Sequence, residues 1–122
     1  MIEITHKNLL QNNGSVYITG LQPMIGGILL VKATWCGHCT RFLPDFKRLD
    51  AILGSNYKVA MIDDKNLGNY KQALNIKGFP TLLFFDKSGK IINTFPDTMK
   101  RDINNILKYI CSIQNHCKTQ AF

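Results

Sequence analysis

Two thiols three positions apart, Cys36 and Cys39 in the run Trp35-Cys36-Gly37-His38-Cys39, are the residues of this chain best suited to chemistry. Outside a secreted context that spacing means redox chemistry or half of a metal site. The run falls where an apolar strand, Ile28-Leu29-Leu30-Val31, hands over to a helix. There Cys36 meets a helix N-terminus, whose unpaired N–H groups and positive dipole end stabilise an anion. The thiolate is the nucleophilic form of cysteine. Cys39, one helical turn later on the same face, is close enough to close a disulfide and is turned inward. Cys36 is therefore expected as the exposed attacking thiol and Cys39 as the resolving thiol. Gly37 lets another chain approach closely, and His38 in its protonated form adds positive charge beside the thiolate.

The competing chemistry is a zinc half-site completed by His116, Cys117 or Cys111. Zinc takes four ligands in tetrahedral reach, commonly as two close pairs. His116 and Cys117 are adjacent rather than suitably spaced, and a Trp before and a helix after the two thiols favour redox, so no metal is expected. Cys111 and Cys117, six apart, would be separated by about 9 Å of rise and 240° of rotation on an unbroken helix, which forbids a disulfide. Cys111 reads as a small core residue and Cys117 as part of a frayed tail.

The elements that must position the thiols follow from periodicity. Phe42, Phe46, Leu49 and Leu53 make one helical stripe stopped by Gly54. Val59 to Ile62 reads as a second buried strand, and Leu67, Tyr70 and Leu74 mark a short helix over 67–74. Thr81 to Phe85 is a third strand, the core pair Phe84-Phe85 included. Asp86-Lys87-Ser88-Gly89 turns into a fourth strand over 90–95. Asp97 or Thr98 can cap a last helix with the stripe Ile103, Ile106, Leu107, Ile110 and Ile113. Towards the N-terminus, 2–5 and 16–19 read as short strands around a helical turn at 7–11. From residue 28 the order is β-α-β-α-β-β-α, with the first two strand pairs joined by parallel crossovers. This is an α/β fold, a central mixed sheet with helices on both faces and an antiparallel edge hairpin.

With these elements placed, Trp35-Cys36-Gly37-His38-Cys39 and the later Ile76-Lys77-Gly78-Phe79-Pro80-Thr81 resemble the active site and cis-proline loop of the thioredoxin superfamily. The Cys-Gly-His-Cys form is most similar to protein disulfide isomerase domains, and Pro44 matches the proline that kinks the active-site helix there. The resemblance covers roughly residues 15–113 and implies a thioredoxin fold. It also implies that Pro80 is cis and packs beside the disulfide, with Phe79 offering backbone hydrogen bonds to an extended substrate. Trp35 is expected to cover the disulfide and meet substrate.

Two positions depart from that family. The buried acid six residues before the first cysteine, proton acceptor for the resolving thiol, is here Leu30, and the lysine of the following strand is Met61. Lys32 shares a sheet side with Leu30 by alternation, so it either stabilises the thiolate, replaces the acid as a base, or lies as a stem across the sheet with its ammonium in solvent.

Composition sets the outer bounds. The 122 residues, 45% hydrophobic and 19% charged, suit one domain without a linker, with a core over 15–113 and a frayed tail at 114–122. Scaling laws give about 20,000 Å² of surface unfolded and about 6,600 Å² folded, so the core needs no metal or disulfide staple. The longest apolar run, Ile25 to Val31, is strand-sized, so no membrane association is expected. Met1-Ile2-Glu3-Ile4-Thr5-His6 lacks the features of a secretory signal. The expected location is the cytoplasm or another compartment reached without a signal peptide. Fifteen Lys and Arg against eight Asp and Glu give +7, but they are scattered, which reads as a solvated surface and not a nucleic-acid site. Twelve of the fifteen are Lys, and with the abundant Asn and Ile they suggest an AT-rich genome such as a parasite's or a large DNA virus's, for which the virion is a further location. His6 and His116 read as surface residues.

The function expected is a protein thiol–disulfide oxidoreductase or isomerase working through the Cys36/Cys39 dithiol as a monomer. Its partners would be proteins bearing disulfides or thiols and an electron partner, with no cofactor beyond the redox-active disulfide. The alternative is a non-catalytic binding module that keeps the fold and uses its basic surface, for which Leu30 is the best support.

Overall fold

A computed structural model describes residues 1–23 and 25–117. Five strands, β1 (Ile2–Ile4), β4 (Gly27–Lys32), β5 (Lys58–Asp63), β6 (Thr81–Phe85) and β7 (Ile91–Thr94), form a sheet in the order β1-β5-β4-β6-β7. β1, β5 and β4 are parallel, β6 runs antiparallel to β4, and β7, antiparallel to β6, runs in the direction of β4 again. A separate hairpin of β2 (Leu9–Asn12) and β3 (Ser15–Ile18) lies beside this sheet, touching it where Tyr17 pairs with Lys90 and Ile18 N–H donates to the Gly89 carbonyl at 2.8 Å.

Alternation along β4 sorts two cores. Ile28 and Leu30 face α1 (Gly37–Leu53) and α3 (Ile103–Gln114), meeting Phe42, Phe46, Leu49, Ile106 and Ile110. Leu29 and Val31 face the other side, against Leu9, Val16 and Ile18 of the hairpin, Leu67, and the short α2 (Tyr70–Ala73). The mixed sheet with helices on both faces is the architecture the periodicity predicts. Gly27 is required at the start of β4, because a Cβ there would stand 2.2 Å from the Lys58 carbonyl oxygen.

Four expectations are corrected. The second crossover is not parallel. β5 ends at Asp63 beside Lys32, and β6 starts at Thr81 beside Val31, at the same end of β4. The connection between them therefore never crosses the sheet, and the four residues of α2, rising only about 6 Å, could not carry it across. Residues 9–12 are strand rather than helical turn, which is confined to His6–Asn8, while the expected strand over 2–5 is present as Ile2–Ile4. The cap of α3 is Asp102, whose carboxylate accepts from Asn105 N–H at 2.8 Å, so 97–101 is a loop rather than the first turn.

The fourth correction concerns the tail. α3 ends at Gln114, Asn115 takes the left-handed conformation, and the chain turns back so that Cys117 bonds Cys111 in a disulfide. The geometric objection held only for an unbroken helix. Gln114 and His116 fasten the same segment, Gln114 bridging the Tyr57 hydroxyl and the Phe85 carbonyl and His116 stacking on the Tyr57 ring at 5.0 Å. Residues 114–117 are thus tied down, and the rest of the expected tail, 118–122, lies outside the described residues. Closing so short a loop restricts the unfolded chain by about 2 kcal/mol, so Cys117→Ser is expected to lower unfolding free energy by that amount in urea titrations under non-reducing conditions.

Candidate active site

The antiparallel return of β6 brings two distant segments together. β4 delivers Ala33 to Cys36 at its C-terminal end, and the loop into β6 delivers Phe79 and Pro80 to the same end. The Phe79–Pro80 peptide is cis, as is Gln22–Pro23. Cys36 caps α1 with its own sulfur, Sγ accepting from Cys39 N–H at 3.1 Å, and its thiol donates to the Phe79 carbonyl at 3.6 Å. Inside α1, Pro44 lacks the N–H that the Thr40 carbonyl would otherwise accept.

Cys36 and Cys39 are both free thiols, 6% and 4% exposed, so exposure separates them less than the position of Cys39 one helical turn later suggests. Their surroundings separate them better. Burial, followed by the hydrogen bond to the Cys36 sulfur, pushes the Cys39 thiol up to about 11, against smaller opposing pulls from the backbone hydrogen bond with Ala33 and then the Arg101 guanidinium. Trp35 stands out in solvent at 74% exposed, its ring edge-on to Phe79 at 5.5 Å.

His38 is exposed near the start of α1, and Arg41 Nη2 lies 2.7 Å from its Nδ1. A guanidinium can only donate, so Nδ1 is the acceptor of this contact. His38 thus holds the Arg41 guanidinium at the first turn of α1, where its Nη1 would stand 3.5 Å from a Cβ at Gly37. His38→Pro is expected to release Arg41 and leave the reduced dithiol less stabilised, lowering the reduction potential by roughly 30 mV or more against glutathione. An unchanged or higher potential would remove His38 from the site's electrostatics.

Lys32 is neither a free base nor a stem ending in solvent. Its ammonium lies 3.1 Å from Asp63 Oδ2, its register neighbour on β5, with Asp63 only 4% exposed. Burial alone would raise the Asp63 carboxyl, but the Lys65 N–H and Lys32 outweigh it and hold it below the usual carboxylate range. Leu30, fully buried under Phe42 and Phe46, and Met61, half-buried, supply no proton-accepting group. The zinc alternative loses its remaining ligands, because Cys111 and Cys117 are bonded to each other and His116 stacks on Tyr57 at the other end of the sheet.

Three residues at the site escaped the reading of the sequence. Arg41 had a local signal, the i,i+3 spacing from His38 on a helix. Asp63 could have been found by aligning the ends of two parallel strands. Arg101 had none, since only the fold brings the loop before α3 to Cys39.

Residues 25–112 match the thioredoxin family. Among curated relatives, the chain is 34% identical over 95 residues to protein disulfide-isomerase 1 of Dictyostelium discoideum, covering 73% of this chain and 24% of that one. It is 30% identical over 83 residues to the protein disulfide-isomerase of Datisca glomerata, covering 64% of this chain and 16% of that one. The chain thus spans less than a quarter of the length of these relatives. Among solved structures, the Trx4 domain of ERdj5 superposes with a TM-score of 0.70 at 21% identity, covering 91% of this chain and 92% of that one. The first thioredoxin domain of mouse protein disulfide-isomerase A4 superposes at 0.61 with 19% identity, covering 93% and 83%. At that identity the superpositions establish the fold.

Proposed function

This chain belongs to the thioredoxin family, and on that premise we propose that it is a thiol–disulfide oxidoreductase or isomerase acting on protein disulfides. The observation that carries the reading is the capped dithiol: Cys36 Sγ receives the Cys39 N–H at the head of a 17-residue helix and faces the Phe79 carbonyl. A sulfur that accepts the free N–H groups of a helix N-terminus is held in the place where negative charge is best tolerated.

Each step is an exchange at sulfur. The Cys36 thiolate attacks one sulfur of a substrate disulfide. A Cys36–substrate disulfide forms, the substrate's own S–S bond breaks, and the departing thiolate takes a proton from solvent. Cys39 then loses its proton and attacks Cys36 Sγ, forming the Cys36–Cys39 disulfide and expelling the second substrate thiolate. Two electrons pass to the substrate, and the reverse sequence oxidises a dithiol or reshuffles pairings. Gly37 leaves the approach to Cys36 open, while Trp35, Phe79 and Pro80 form the surface on which an extended substrate lies. Lys32 takes no proton in this scheme, being engaged by Asp63.

Reduction of insulin disulfides by dithiothreitol tests the proposal. Catalysis by the wild-type chain and its loss in Cys36→Ser are expected. Equal rates with and without protein would favour the binding module that Leu30 also allows.

A further inference from the structure

The basic residues are scattered along the chain but gather in space. Two grooves flank the thiols. One, of about 460 Å³, is lined by Lys77, Phe79, Pro80, Asp97 and Arg101 among others, and the second, of about 400 Å³, by His38, Arg41, Phe42, Lys100 and Arg101. Arg101 belongs to both, its guanidinium 5.9 Å from the centre of the Phe42 ring. Arg41, Lys77, Lys100 and Arg101 come from three separate segments, all are exposed, and none has a carboxylate within 4.0 Å among the described residues. Two carboxylates face the same grooves, Asp97 and Asp45, and Asp45 already lies 3.7 Å from Arg48. Beyond Phe79, Lys71 sits over its ring at 5.3 Å and is paired with Asp64.

We infer that these grooves select extended polypeptide segments carrying acidic residues on both sides of the reacting cysteine. The inference rests on the thiol exchange proposed above and names its substrate class. Uncompensated cations on both flanks of one reactive sulfur attract negative charge from either direction. The sulfur at the centre exchanges only with another sulfur, so the occupant is a cysteine-bearing chain rather than a nucleic acid. Such complementarity acts on encounter and register, and salt screens it.

The test uses three peptides of one length with Glu, Gln or Lys flanking a central position. With serine there, binding is read from Trp35, the chain's single tryptophan and an exposed reporter beside Phe79. The Glu peptide is expected to bind about tenfold or more tighter than the Lys peptide at low ionic strength, the gap closing near 1 M salt, where the Debye length is about 3 Å. Lys77→Glu/Lys100→Glu should abolish or invert that order, whereas Lys47→Glu/Lys108→Glu, with the same change in net charge outside both grooves, should preserve it. Equal binding, a preference for Lys, or tighter binding of a single-stranded oligonucleotide of equal charge would overturn the inference. The same peptides with a central cysteine as mixed disulfides give the rate of reduction. Reduction of all three at equal rates overturns the selectivity and leaves the oxidoreductase standing. A Glu preference in binding with no reduction of any peptide upholds the grooves and overturns the exchange chemistry.

Discussion

A mixed disulfide between Cys36 and a substrate cysteine is expected to shorten its lifetime about tenfold for each pH unit from neutrality to near 11. Resolution requires the Cys39 thiolate, and burial with the hydrogen bond to Cys36 pushes that thiol up to about 11. At pH 7 Cys39 is then overwhelmingly in the thiol form, which cannot attack. The sign follows from the neutral form being favoured, so the step accelerates as pH rises and levels off above the pKa. Leu30→Glu would set a carboxylate beneath α1 and is expected to shorten the lifetime at pH 7 by roughly a hundredfold, at a cost of a few kcal/mol in stability. Arg101→Met should lengthen it slightly, because that guanidinium adds to the larger backbone hydrogen bond with Ala33 in pulling the Cys39 thiol down. Lys32→Met should leave it unchanged. Rapid-quench measurement of the trapped adduct across pH checks all four. A lifetime indifferent to pH would mean that Cys39 ionisation does not control resolution.

Lys32→Met is instead expected to act on stability, lowering the unfolding free energy by about 3 kcal/mol in urea titrations at pH 7. The substitution strands Asp63, a carboxylate 4% exposed, with only the Lys65 N–H at 3.1 Å to hold it. Lys32→Met/Asp63→Asn should recover most of the loss, since the amide oxygen can still accept from Lys65. In the wild type the Asp63 carboxyl is held below its ordinary 3.8, so its contribution is present above that pH and lost as pH falls through the lower folded-state value. Without Lys32 the carboxyl protonates more readily, so the deficit of Lys32→Met should narrow on acidification. A deficit independent of pH, or no recovery in the double variant, would show that the cost arises from packing.

How much of this was legible in the residues depends on how local each cause is. The stripe Phe42, Phe46, Leu49 and Leu53 announces α1, and the same four residues are buried against the sheet. Cys36 and Cys39 are legible for the same reason, since a helix start and a three-residue spacing are both written within a few positions. The hairpin strand β2 was not, because only Leu9 of its four residues is buried and Leu10 stands 52% exposed, too little for alternation to register. The direction of β6 depends on where its connection begins and ends, a property of the assembled sheet. Likewise the Cys111–Cys117 bond follows from helix termination at Asn115, whose left-handed backbone no stripe foretells. Arg101 and Asp63 join the site through contacts 62 and 31 positions away in the chain, from Cys39 and Lys32 respectively.

The order β1-β5-β4-β6-β7 leaves the sheet with two flanks where unpaired backbone groups could recruit a strand from another molecule. One flank is β1, only three residues long. At the other, the β3 backbone meets the approach to β7, Tyr17 bridging to Lys90 and Ile18 N–H bonding the Gly89 carbonyl. Neither flank is a long bare ladder on which cross-β growth could be templated. An extended polypeptide that reaches the thiol end of this sheet thus finds little to zip onto along its sides.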